Sequence, residues 1–512
     1  MTNIIAVTGG LEAALSMLFS AQGFFLMILG TTLGITVGAV PGLTGAMLIA
    51  LTLPLTFNME SGSAMMLLVS MYVGSVSGGL ITATLLRIPG TPSAMMTTLD
   101  GYPLAQKGEA GRALGFGISA SFVGGIISLI FLILLAEPLS KYATHLGPFE
   151  FFSLVLMALV LIASVGGKSI SRSLFSGFLG ILFAMPGIVA ATGEVRMTFG
   201  MTELNGGFKL LPMLIGLFAI SQIIKDVMEK DKDVKPLEMS TKGMFMTGKE
   251  WSSQIVNMIR SSVIGTWIGV LPGIGANIGS VAAYSTAKNF SKTPEKFGKG
   301  SEEGIVAAEA ANNATVGGAL IPLVTMGIPG SVIDAILLGA LMIHQLQPGP
   351  LLFEQNPDVV YTIIGAFSLA NVFMLFIMML LVKPLSKLSS IPKVYMIITV
   401  LTFCVIGTYA QNNNMFDVWS MLAFGLLGFV LEKTSIPLAP FVIGFVLGPM
   451  AESKLSTGLM SSHGSWWPLV TRPISCLFVI ISLVLLILPI VKSFKSPEVD
   501  EDALPELDQE KS

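Results

Sequence analysis

Residues 34–42 read GITVGAVPG and residues 265–273 read GTWIGVLPG. Both follow the pattern G-x3-G-x2-P-G, 231 positions apart, and both sit in apolar sequence that a Pro-Gly pair interrupts. Proline removes a backbone donor and ends a helix. In hydrocarbon such a break persists only where it lines a protein cavity, because unpaired backbone groups cost several kcal/mol there. Working outward, further matches occur in the same order. IPG at 88–90 pairs with IPG at 328–330, the proline of each eleven residues after a glycine (Gly78, Gly318). PLSK at 138–141 pairs with PLSK at 384–387, and Pro212/Gly216 pairs more loosely with Pro440/Gly444. The chain therefore reads as two copies of one unit.

Composition sets the solvent. The 512 residues are 53% hydrophobic and 12% charged, with a mean hydropathy of +0.80. A soluble domain carries about 25% charge. A chain with half of that cannot clothe a water-soluble surface, which excludes a cytosolic enzyme, a nucleic-acid binder and a disordered hub. It points to an all-α polytopic protein of the lipid bilayer, with about ten to twelve transmembrane helices of roughly 20 residues each.

The loops give orientation. Lys and Arg number seventeen in 100–112, 166–173, 225–250, 288–299 and 383–393, against three in 57–62, 137–149, 193–209, 344–358 and 411–416. The positive-inside rule places the first set in the cytoplasm. Loops at matching positions of the two copies then fall on opposite sides, so the repeats are inverted. The expected organisation is a first repeat over 1–225, a cytoplasmic linker over 226–254, a second repeat over 255–492 and an acidic, disordered cytoplasmic tail over 493–512. Residues 496–512 hold seven acids and one base. The start, MTNIIAVTGGLEAALSMLFSAQG, lacks a basic n-region, so a retained first helix is expected.

Inverted repeats with Gly/Pro-interrupted segments at matching positions point to a secondary transporter whose site lies where the breaks meet. The breaks are Pro41-Gly42, Pro89-Gly90, Pro272-Gly273 and Pro329-Gly330. Helix starts just beyond them expose N–H groups suited to a carboxylate. The expected substrate-binding residues are Arg87, Gly90, Thr91, Ser93, Asn277, Gly330 and Ser331. The expected cation-binding residues are Gly42, Thr44, Gly45, Gly273, Asn312 and Asn313, the asparagines through their amide oxygens. For each of these a structural role competes. Gly34/Gly38 and Gly265/Gly269 also fit helix packing, Arg87 an ion pair, and the asparagines interhelical hydrogen bonds. Glu309 and Asp334 are weaker candidates, Asp334 for a cation or proton. His344, His145 and His463 read as structural or interfacial, Trp466 and Trp467 as an aromatic belt, and Cys404 and Cys476 as packing residues.

No catalytic constellation is present: no HExxH, no GxSxG, no Walker A and no CxxC. No cofactor is expected, and the driving energy falls to an ion gradient, Na⁺ or H⁺, or to an ATPase partner, the glycine-rich breaks favouring the gradient. A channel or exporter of small anions on a similar scaffold is the alternative, and a membrane-embedded enzyme a distant third.

The segments GITVGAVPGLTG (34–45), LLRIPGTPSAMMTTLDGYPLAQKGEAGRALG (85–115), GTWIGVLPGIGANIGS (265–280), EAANNATVGGALIPLVTMGIPGS (309–331) and HQLQPGP (344–350) resemble the large membrane subunit, TctA type, of the tripartite tricarboxylate transporters. The resemblance spans roughly residues 10–450. It implies an ion-coupled importer of tri- or dicarboxylates in a bacterial inner membrane. It also implies two partners, a small four-span membrane subunit and a periplasmic solute-binding protein. One position departs: many members carry a small polar residue, often Asn, where this chain has Arg87. The added charge either favours a more anionic substrate or is neutralised by Asp334 or Glu309.

Overall fold

The computed structural model describes residues 2–40, 42–165, 169–189, 192–228, 237, 242–388 and 393–495. The expected linker lies partly outside these residues, as does the tail beyond Lys495. Apart from a two-stranded pairing of Gly187–Ile188 with Val195–Arg196, the described residues form helices and turns. Seven helices are long and apolar enough to cross a membrane, and six shorter apolar helices accompany them. This is an all-α polytopic membrane protein.

Two helices are buried almost completely, Ser61–Leu86 and Glu302–Met326. Their sequences are small and apolar around the whole circumference, as a helix enclosed on every side requires. Each ends at a Pro-Gly break and is preceded by a broken pair. Ala21–Gly38 and Gly45–Thr56 precede the first central helix; Gly248–Val270 and Gly275–Phe290 precede the second. Short helices follow the later breaks, Met95–Leu104 and Val332–Ile343. Twelve residues at 1.5 Å each span about 18 Å, against a hydrocarbon core of about 30 Å. Gly45–Thr56 and Val332–Ile343 are therefore half-helices.

The halves exchange partners in a matched way. Glu302–Met326 packs along Ala110–Ala143, the long helix after the second break; Ser61–Leu86 packs along Pro357–Leu388, its counterpart after the fourth. The two PLSK segments lie near the C-terminal ends of those two long helices. Farther out, Leu438–Ser461 packs on Ile170–Ala184, while Leu210–Met228 packs on Met415–Lys433. Gly444 and Gly216 sit at those contacts, against the Gly177 and Met421 carbonyls.

Three of the base-rich loops meet. Lys107 Nζ donates to the Lys299 carbonyl at 2.7 Å, and Arg112 pairs with Glu250 at 2.7 Å and with Glu302. The base-poor loops meet elsewhere: Ser140 Oγ donates to the Pro350 carbonyl at 3.0 Å, and His344 Nε2 lies 3.4 Å from Thr56 Oγ1.

Candidate functional site: the meeting of the four breaks

In each half the two breaks touch. Gly90 backs onto the Gly38 carbonyl, and Gly330 onto the Gly269 carbonyl, where an added Cβ would lie 2.8 Å from the oxygen. The Gly273 N–H donates to the Gly330 carbonyl at 2.8 Å. Glycine at these points lets two backbones approach where any side chain would separate them. The glycine ridges serve the same end: Gly34 and Gly38 face the first central helix, Gly265 and Gly269 the second, all in backbone contact.

The halves also meet at their breaks. Gly45, just past the first, lies against Ser75 and against Ile333, just past the fourth. The hairpin helix Gly275–Phe290, past the third, packs on Pro92–Ala94, past the second. Between these two contacts the central helices are joined by side chains. Ser77 Oγ donates to Asn313 Oδ1 at 2.6 Å, and Asn312 Nδ2 donates to the Val76 carbonyl at 3.4 Å. Asn313 Nδ2 bonds the Glu309 carbonyl within its own helix. Asn312 Oδ1 is buried without a hydrogen-bond partner. So Asn313 is committed to structure, and Asn312 keeps one oxygen open.

The remaining expected residues divide. Thr44 caps Gly45–Thr56, its Oγ1 accepting the Met47 N–H at 3.2 Å. Ser331 caps Val332–Ile343 and shares a hydrogen bond with Tyr72 Oη of the first central helix, 3.2 Å away. Thr91 and Ser93 are buried and bond each other at 3.1 Å. Gly42, at φ +91°, looks toward Gln222 and Asp226. Pro272 and Pro329 are buried, Pro89 is half-buried, and Pro41 lies outside the described residues. Two residues do not join the cluster. Asn277 is exposed on the third-break hairpin, whose helix starts at Gly275. Arg87 is exposed as the left-handed cap of the first central helix (φ +57°), 5.9 Å above the Tyr102 ring.

Three acids are buried near the breaks and the second central helix. Glu309 accepts from Thr97 Oγ1 at 2.5 Å and Ser121 Oγ at 3.3 Å, both from the other half. Asp334 neighbours Ser331 and Tyr72. Asp100, in the LDGYP stretch, accepts the N–H groups of Gly298, Gly300 and Ser301 and the Tyr284 hydroxyl. Reading the residues one by one missed Asp100. Its signal was a single acid in an apolar helix together with a glycine-rich FGKGS turn at 297–301 able to present three N–H groups. No group of His, Cys, Asp and Glu able to hold a metal occurs among the described residues.

The arrangement of four mutually packed breaks, half-helix N-termini and buried oxygens suits the binding of a small anion together with a cation. Comparison with known proteins agrees with a transport role. The profile of the tripartite tricarboxylate transporter TctA family matches residues 24–443. An uncharacterized 52.8 kDa protein of the TAR-I ttuC' 3' region of Agrobacterium vitis is 32% identical over 478 residues, covering 92% of this chain and 95% of that one. An uncharacterized protein of the TAR-II ttuC' 3' region of the same organism is 36% identical over 232 residues, 45% of this chain and 96% of its own. No solved structure matches. With its breaks, its paired central helices and a profile match across most of its length, the chain belongs to the tripartite tricarboxylate transporter TctA family.

Proposed function

We propose that this chain is the large permease subunit of a tripartite importer of organic carboxylates, tri- or dicarboxylates, driven by a Na⁺ or H⁺ gradient through alternating access. The observation that carries the reading is the packing of Gly45, Gly90–Ser93, Gly273 and Gly330–Ser331 against one another and the two central helices, which the Ser77–Asn313 bond joins. Exposed main-chain dipoles at such half-helix ends take a carboxylate at the N-termini and a cation at carbonyls and hydroxyls. The matched exchange of helices between halves supports two inverted repeats, 1–225 and 255–492, joined by a cytoplasmic linker over 226–254. One repeat moving against the other then opens the cluster to either side. In this reading the protein spans a bacterial inner membrane with the acidic tail in the cytoplasm. A small four-span subunit and a periplasmic solute-binding protein complete the assembly and deliver substrate.

The test is uptake of labelled tri- and dicarboxylates into proteoliposomes holding the assembled complex, with imposed Na⁺ or pH gradients. Accumulation that requires a gradient and the binding protein is the expected result. Downhill flux that needs neither selects the channel reading instead.

A further inference from the structure

Asp334 is completely buried, and no donor meets either carboxylate oxygen at full hydrogen-bond geometry, although the Ser331 N–H and the Ser331 and Tyr72 hydroxyls lie near. Ser331 caps the helix and accepts the Asp334 N–H at 3.3 Å. In a capping box the acid would accept the cap residue's N–H in return, and here that N–H is near the carboxylate without closing a full bond. The carboxylate is left open beside the hydroxyls of Ser331 and Tyr72.

No base faces it. Of the elements packed on Val332–Ile343, the segments Gly45–Thr56, Ser61–Leu86 and Leu210–Ile215 carry Tyr72 as their one ionisable side chain. Glu302–Met326 brings further acids, among them Glu309, which is held by Thr97 and Ser121. Leu438–Ser461 brings Glu452, paired with Arg196, and Lys454, which lies over the Phe151 ring. His344, at the far end of Asp334's own helix, is ten residues or about 15 Å away. A buried carboxylate with no counter-ion is costly, and the nearby hydroxyls and one helix N-terminus offset only part of that cost. The missing element is one positive charge.

We infer that Asp334 seats the coupling cation, held as Na⁺ by the carboxylate with the Tyr72 and Ser331 hydroxyls, or as a proton on the carboxylate. The inference rests on the import reading above and moves the ion from the carbonyls and asparagines expected from sequence to a side chain. It also gives the ion leverage. The seat joins the fourth break (Ser331) to the first central helix (Tyr72), beside the contact of Gly45 with Ile333. A cation there favours the conformation in which the halves are closed at this point, and its departure leaves an uncompensated charge that favours separation.

The experiment uses the purified full chain, wild type and Asp334→Asn, with melting curves to confirm that both fold. Equilibrium binding of radioactive Na⁺ and the infrared signal of a protonated carboxyl across a pH titration are measured on each. Support takes one of two forms: saturable Na⁺ binding weakened about tenfold or more in Asp334→Asn, or a titrating carboxyl signal absent from Asp334→Asn. The first assigns Na⁺ and the second a proton. Neither signal in wild type, or no signal altered in the variant, overturns the inference. Should Asp334→Asn not fold, Tyr72→Phe keeps the carboxylate and removes one hydroxyl. It is expected to weaken Na⁺ binding severalfold, or to shift the carboxyl titration, and an unchanged result for both signals overturns the inference equally. Ion binding through Asp334 in an assembled complex that imports no organic acid would sink the carboxylate reading alone. Import with unaltered ion dependence in Asp334→Asn would sink this one alone.

Discussion

Asp100 Oδ1 accepts the Ser301 N–H at 2.7 Å, and the same oxygen takes the Gly298 and Gly300 N–H groups at 2.8 and 2.9 Å. One carboxylate from the helix after the second break thus organises the turn between the third-break hairpin and the second central helix. Tyr284 Oη closes the other oxygen at 2.7 Å. Removing the acid orphans two buried donors, the Ser301 N–H and the Tyr284 hydroxyl, each costing about 1–3 kcal/mol, and two part-buried ones. Asp100→Ala is expected to lower stability by about 2–5 kcal/mol. Asp100→Asn keeps one oxygen for the backbone N–H groups and loses less. Melting of the detergent-solubilised variants checks the order; an Asp100→Ala protein as stable as wild type would contradict it.

Asp100 also marks a limit of what its sequence discloses. The breaks, the buried central helices and the half-helices were legible, because Pro-Gly pairs and repeated offsets report backbone geometry locally. The partners of Asp100 lie about 200 residues away, so its role depends on packing that no local pattern encodes. Asn277 shows a related limit. A residue near a helix start is close to the break along the chain, yet the rotation of the helix decides which way it faces, and here it faces out. The glycine ridges allowed two readings, packing or ligand approach. The close backbone contacts at Gly34, Gly38, Gly265 and Gly269 show packing.

The Ser77–Asn313 bond is the shortest side-chain link between the central helices, at 2.6 Å. Interhelical hydrogen bonds of this kind in membrane proteins average about 0.6 kcal/mol and reach about 1.7. A double-mutant cycle of Ser77→Ala and Asn313→Ala is expected to return a coupling energy of about 1 kcal/mol in stability. A coupling near zero would mean that the two side chains act independently.

Gly42 and Gly90 separate two reasons for glycine. Gly42 has φ +91° but room beyond it, the nearest atom to an added Cβ being Asp226 Oδ1 at 3.4 Å. Its constraint is conformational, so Gly42→Asn should be tolerated better than Gly42→Val, the latter losing on the order of 1–2 kcal/mol. Gly90 has an ordinary φ, but a Cβ there would strike the Gly38 carbonyl and lie 2.5 Å from Thr82 Oγ1. Gly90→Ala and Gly90→Asn should both force the breaks apart and abolish uptake while the chain still inserts. Uptake assays alongside surface expression distinguish the two; an active Gly90→Ala protein would argue against close contact of the first and second breaks.

Glu250 supplies a pH handle outside the membrane-spanning helices. It accepts the Thr247 N–H at 2.7 Å and the Thr247 hydroxyl at 2.8 Å, and it pairs with Arg112. The backbone bond from Thr247, then the hydroxyl, then Arg112 hold its carboxyl below the usual glutamate range. A lowered folded value means that the contribution is complete above the unfolded value of about 4.3. It is lost as the pH falls through the lower folded value. Glu250→Gln should therefore lower the melting temperature at neutral pH, and the gap to wild type should close as the pH drops below about 4. A gap that widens in acid would refute the sign.

Arg87 and Gly327 occupy equivalent positions, 240 residues apart, each as the left-handed residue that ends a central helix (φ +57° and +69°). Only glycine adopts that conformation without Cβ strain, and asparagine adopts it more readily than most. The Arg87 guanidinium, exposed above Tyr102, contributes about 0.5–1 kcal/mol. Arg87→Gly loses that contact and relieves strain of about 1 kcal/mol, so its stability should stay within about 0.5 kcal/mol of wild type. Arg87→Ala loses the contact and keeps the strain, and should fall about 1 kcal/mol below Arg87→Gly. If carboxylate uptake survives in Arg87→Gly, the charge serves the helix end; if stability holds and uptake collapses, the charge serves the substrate or a partner.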